Sequence, residues 1–170
     1  MTLAQLNALE EMEARAELER CCGAKRWAER MLEARPFADR AALLARAERE
    51  FWALGESGWR EAFSHHPRIG DQASALTKFA RTAAWAAEEQ SGAADASNIV
   101  RAGLVEANRV YEKKFGYVFI VCATGKTAEE MFGMLTARLE NAPESELAIA
   151  ANEQLEITKL RLEKLLGDRS

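Results

Sequence analysis

Both histidines of the sequence fall in one stretch, Phe63-Ser64-His65-His66-Pro67-Arg68-Ile69-Gly70-Asp71. A proline disfavours the α region for the residue before it and cannot donate a backbone hydrogen bond. The helix running through Ala62, Phe63, Ser64 and His65 is therefore predicted to stop here. His66 then sits in a loop at the end of a rigid element, where an imidazole of near-neutral pKa can carry a proton and be tuned by its neighbours. The same residues also fit a His-Pro helix stop without chemistry. A second stretch, Trp85-Ala86-Ala87-Glu88-Glu89-Gln90-Ser91-Gly92-Ala93, ends a helix with an acid, an amide and a small-residue stop. A third, Lys114 to Gly125, holds the one apolar β-type run, Tyr117 to Cys122. No other segment can pair with that run, so its backbone groups need other partners. Either side chains and water satisfy them, or they form a buried turn, or they line a pocket and bind the carbonyl and N–H edges of a flat polar ligand.

The elements that must hold these stretches are helices. Thr2 and Gln5 form a capping box for an opening helix with Leu3, Leu6, Leu9 and Met12 on one stripe, and a second run through Leu18 closes at Gly23. Lys25 to Ala34 is a short helix before Arg35-Pro36-Phe37. Asp39 opens a longer one that closes at Gly55, and Glu56 to His65 leads into the histidine loop. Leu76 to Gln90 is alanine-rich at helical spacing. Asp95 or Ser97 caps a helix that Gly116 ends, Thr127 and Glu130 cap the next with Met131, Leu135 and Leu139, and Pro143 opens the last. Along that last helix Leu147, Ala150, Ala151, Leu155, Thr158, Leu162 and Leu165 form one face. The predicted fold is all-α, a single-domain helical bundle (1–170) of about eight helices with one short extended segment near 117–122.

Taken in order, the three stretches resemble the OHCU decarboxylase family, whose members convert 2-oxo-4-hydroxy-4-carboxy-5-ureidoimidazoline to allantoin in uric acid breakdown. The resemblance runs from Leu6-Asn7 through Arg35-Pro36-Phe37, the His-Pro loop, the Glu-Gln helix and Lys114-Phe115-Gly116 to Leu160-Arg161-Leu162. It implies that His66 is the general acid and base, that Glu89 orients the imidazole or binds ureido N–H groups, and that Gln90 meets the ureido or lactam edge. Arg161 matches the family's substrate-binding arginine, able to grip a carboxylate or carbonyl with its planar fork. Pro67, Ala86 and the backbone of Phe119, Ile120, Val121, Cys122 and Ala123 fall at the family's remaining substrate contacts. Ala86 departs from the pattern, since many members carry serine there; one neutral hydrogen bond is worth about 0.5 to 1.5 kcal/mol. On the residues alone, Glu89 and Gln90 also fit a solvated helix end, and Arg161 a surface ion pair with Glu156, Glu163 or another neighbour. The resemblance further implies a homodimer, with which the alanine-faced helices are compatible, and the absence of any cofactor, because such a substrate carries its own electron sink.

Composition narrows the classes. The 170 residues are 48% hydrophobic and 29% charged, with ten glycines and three prolines, ordinary for a soluble domain able to bury a core. A net charge of −4 and arginines interleaved with glutamates show no phosphate-binding stripe, so nucleic acid is not an expected partner. No run approaches the roughly 18 apolar residues needed to span a bilayer, and no membrane partner is expected. The N-terminus shows no leader pattern and the C-terminus no peroxisomal signal. Cys21 and Cys22 are adjacent and Cys122 is isolated, which reads as reduced thiols in a cytoplasm. Neither the histidine pair nor the cysteine pair has metal-ligand spacing. Two alternatives stay open: a decarboxylase or hydrolase acting on a related ureide, and a non-catalytic helical interaction module on the same scaffold.

Overall fold

The computed structural model describes residues 1–69, 85, 88 and 98–167. Among them are eight helices: α1 (Leu3–Ala8), α2 (Glu11–Cys21), α3 (Lys25–Glu33), α4 (Arg40–Trp52), α5 (Gly55–Phe63), α6 (Asn98–Phe115), α7 (Ala128–Arg138) and α8 (Pro143–Leu165). Trp85 and Glu88 are helical as well. No strand occurs among the described residues, in line with the all-α expectation. The chain forms two compact units, Met1–Ala62 with Leu155–Ser170, and Phe63–Gln154.

In the first unit, Leu6, Leu18, Trp27, Met31, Leu43 and Phe51 are fully buried, and the Trp27 indole donates to the Ala47 carbonyl at 3.0 Å. The Asn7 amide and the Phe37 backbone exchange two hydrogen bonds of 2.9 Å, while Arg35 donates to the carbonyls of Leu6 and Leu9. Leu6-Asn7 and Arg35-Pro36-Phe37, far apart in sequence, are thus one joint. Two expectations for this region are corrected. The opening stripe does not reach Met12, because Leu9 leaves α1 in an extended conformation (ψ 143°) and Met12, 83% exposed, belongs to a new helix. Gly23 does stand at the expected C′ position, after extended Cys22 (φ −140°) caps α2, although its φ is not positive. Gly55 has positive φ (+70°) but opens α5 rather than closing α4.

In the second unit, Gly116 ends α6 as expected, at φ +80°, with its N–H on the Glu112 carbonyl at 2.8 Å. Tyr111, Phe115, Tyr117 and Phe119 then form an aromatic cluster; Tyr111 meets Phe115 at 4.6 Å and Phe119 at 5.3 Å between ring centroids. Lys114 donates to the carbonyls of Leu139 and Asn141 beyond the end of α7, so Lys114-Phe115-Gly116 supplies a cap for one helix, a core ring and a stop for another. The Thr2–Gln5 and Thr127–Glu130 capping boxes are both formed.

Candidate active site

The histidine loop is fixed at both ends. Helix α5 ends at Phe63, two residues before the expected His65, and the His66 N–H returns to the Phe63 carbonyl at 3.1 Å. The Phe63 ring packs on Tyr117 with centroids 5.0 Å apart. Beyond the histidine, the Arg68 guanidinium grips Glu112 of α6 with two hydrogen bonds. Between these anchors Pro67 is buried, His66 half-buried and His65 exposed. His66 is therefore the partly sheltered imidazole of the pair, and its backbone is held by the proline and by contacts on each side.

The run after Tyr117 is neither helix nor turn from Val118 to Ala123, and charged side chains hold one side of it. Arg138 donates to the Ile120 carbonyl at 2.8 Å, the Cys122 N–H donates to Glu153 at 2.6 Å, and Lys126 donates to the Cys122 carbonyl at 2.6 Å. The N–H groups of Val121 and Ala123 have no acceptor among the described residues. In an extended chain, successive residues turn their N–H and C=O groups to opposite sides. Ile120 and Cys122 thus face the charged residues, and Val121 and Ala123 present two donors on the other side. The side-chain alternative read from the sequence holds for one side of the run, through Arg138, Glu153 and Lys126. Cys122 contributes no donor to the open side, because Glu153 occupies its N–H.

Beneath the run lies a network that the sequence reading missed. Glu146, fully buried, accepts from Arg138 Nε at 2.7 Å, from Asn141 Nδ2 at 2.8 Å and from the Tyr111 hydroxyl. The Arg138 guanidinium also stacks over the Phe119 ring, 4.5 Å from its centroid. Burial and the Glu146 carboxylate raise the Tyr111 phenol well above its ordinary pKa, so it stays a donor. A signal for these residues was available. Arg138 falls on the Met131, Leu135 stripe at i+7, and Glu146 lies four residues before Ala150 on the buried face of α8. The faces read from the sequence used Leu139 and Leu147 instead, and both are only half-buried.

Arg161 belongs to the first unit and is 3% exposed, which excludes the surface ion pair considered for it; Glu156 pairs with Lys159 instead. Its charge acts on the buried thiols of Cys21 and Cys22. Burial raises the Cys21 thiol far above its ordinary value and pushes Cys22 up to about 11, with hydrogen bonds from the Ala24 backbone and Thr158 pulling Cys22 the other way. Both thiols are therefore protonated and inert near neutrality. A thiol reagent at neutral pH is expected to label one cysteine per native chain, Cys122, and all three after denaturation; native labelling of three would contradict this burial. The Cys22 contribution to stability is full below its ordinary value of 9.0 and is lost as pH rises through about 11, because the unfolded chain releases that proton first. Glu89, Gln90 and Ala86 lie outside the described residues.

Among the described residues, which are helical apart from loops and turns, the second unit thus carries a His-Pro loop anchored at both ends and a non-helical run with two open backbone N–H groups. The sequence profile of the OHCU decarboxylase family matches residues 7–163, and this chain belongs to that family. It is 39% identical over 152 residues to an Arabidopsis thaliana protein named uric acid degradation bifunctional protein TTL, covering 88% of this chain and 46% of that one. It is 34% identical over 83 residues to the Mus musculus 2-oxo-4-hydroxy-4-carboxy-5-ureidoimidazoline decarboxylase, covering 49% of this chain and 47% of that one. The chain thus spans under half the length of these curated relatives in the matched regions. Among solved structures it resembles an OHCU decarboxylase crystallised in the presence of (S)-allantoin, with a TM-score of 0.75 and 36% identity, covering 89% of this chain and 98% of that one. No helix among the described residues is long and apolar enough to cross a membrane.

Proposed function

We propose that this protein decarboxylates 2-oxo-4-hydroxy-4-carboxy-5-ureidoimidazoline to (S)-allantoin in uric acid breakdown, as one domain over 1–170, with no cofactor. The family match across 7–163 supports the assignment, and the observation that carries it is the open edge of Val121 and Ala123 in the unit that holds His66. The substrate's carboxylate leaves as carbon dioxide, and the bonding pair moves toward the neighbouring imine, whose nitrogen takes a proton. His66 then removes the proton of the substrate hydroxyl and returns one to a single face of the ring carbon bearing the ureido group. Pro67 holds His66, and the 119–123 backbone binds the ring's polar edge. Glu89, Gln90 and Arg161 are assigned by family resemblance to orienting the imidazole, meeting the ureido edge and binding the carboxylate, with Ala86 contributing a contact surface where relatives offer a hydroxyl.

The test is circular dichroism of allantoin formation from substrate generated in the cuvette out of urate by urate oxidase and hydroxyisourate hydrolase. Spontaneous decay gives racemate, so a rapid rise of one enantiomer is expected, and a trace matching buffer from folded protein would overturn the assignment. A homodimer is proposed on family grounds and on the exposed Ile99, Val105 and Val110 of α6, and the mass in solution decides it. A cytoplasmic setting fits cysteines that carry thiols rather than disulfides.

A further inference from the structure

We infer that Glu153 and Lys126 are positioning residues for substrate, acting through the peptide groups on either side of Cys122; the inference rests on the reading of 119–123 as a ligand edge. Glu153, on α8, accepts a hydrogen bond from the Cys122 N–H at 2.6 Å, and Lys126, just before α7, donates one to the Cys122 carbonyl at 2.6 Å. One residue is thus gripped at both its backbone groups by opposite charges from two different elements. A trans peptide directs its C=O and N–H to opposite sides. Fixing the Cys122 carbonyl therefore fixes the direction of the Ala123 N–H, just as the Arg138 bond to the Ile120 carbonyl fixes that of Val121. The Glu153 bond in turn fixes the Val121 carbonyl, which falls on the open side between the two donors. The result is a donor–acceptor–donor edge, N–H of Val121, C=O of Val121 and N–H of Ala123. It fits the complementary edge of a planar ureide or cyclic imide, where carbonyl and N–H alternate.

Half-buried Glu153 and Lys126 are also the members of this arrangement that can be changed without emptying a core position. In steady-state assays, Glu153→Ala and Lys126→Met are each expected to raise KM about tenfold with kcat within about twofold, because the edge binds substrate and transition state alike. Calorimetric titration with (S)-allantoin should show Kd rising by a similar factor. Glu153→Gln keeps an acceptor oxygen and Lys126→Arg keeps a donor, so both should return to within about threefold of the parent. General loosening of the fold would lower kcat and the melting temperature together and would not be rescued by these swaps. If the parent turns over substrate stereospecifically while both truncations leave KM and Kd unchanged, this inference fails alone. If the parent neither turns over substrate nor binds (S)-allantoin, the functional reading beneath it fails first.

Discussion

His66→Asn is expected to lower the rate of allantoin formation by about 10² to 10⁴ and to abolish the excess of one enantiomer, while His65→Asn stays within about twofold of the parent. Asparagine keeps the approximate shape of the imidazole and one of its hydrogen-bonding positions, but near neutrality it can neither take nor give a proton. The loop is held by groups the substitution leaves alone: buried Pro67, the Phe63 ring against Tyr117 and the Arg68 clamp on Glu112. The variant should therefore fold, and its (S)-allantoin affinity should change far less than its rate. His65 is the internal control, because it shares residue type and neighbourhood but is exposed. Equal losses from both histidines would point to damage in the loop rather than to proton transfer. An unchanged rate in His66→Asn would remove the proton carrier from the mechanism and favour a scaffold whose substrate, if any, is another ureide.

What the sequence made legible follows from how local each signal is. Both threonine capping boxes, the Gly116 stop and the helical class rest on contacts within a few residues, and they were readable because local residue type and spacing determine them. A stop that depends on the next element was misread: Gly55 starts a helix rather than ending one, because the surrounding packing chose between several permissible breaks. The Tyr117–Cys122 run was recognised as an extended segment without a strand partner. Which of its backbone groups are satisfied was not readable, since the partners come from Lys126, Arg138 and Glu153. Charged residues in register with an apolar stripe were passed over for the leucines beside them, because hydrophobicity ranks leucine first whereas a paired charge is what makes such a position buriable. His66 and the 119–123 stretch could be proposed from residue type and order. The sheltering of His66 relative to His65, and the asymmetry of the run, required coordinates.

Glu146→Ala is expected to destabilise the fold by about 3 to 5 kcal/mol, because it leaves the Arg138 charge buried without its carboxylate. For a chain of this length that corresponds to a fall in melting temperature of roughly 10 °C. The Tyr111 hydroxyl loses its acceptor in the same change, which adds to the cost. Replacing the polar members together, as Tyr111→Phe, Arg138→Met and Glu146→Leu, removes the charges and the hydroxyl at once. Desolvating an ion pair consumes most of what its attraction returns, so this triple variant should melt near the parent or above it; Asn141, half-buried, can turn its amide to water. Its activity should nevertheless stay low, because the Ile120 carbonyl no longer meets the Arg138 guanidinium and the Val121 N–H is no longer aimed. Recovery of stability without recovery of KM would show that the buried charges are kept for the shape of the ligand edge rather than for the fold. Recovery of both would assign the network to packing alone, and a triple variant as unstable as Glu146→Ala would mean that the pair stabilises the protein beyond what an apolar core can replace.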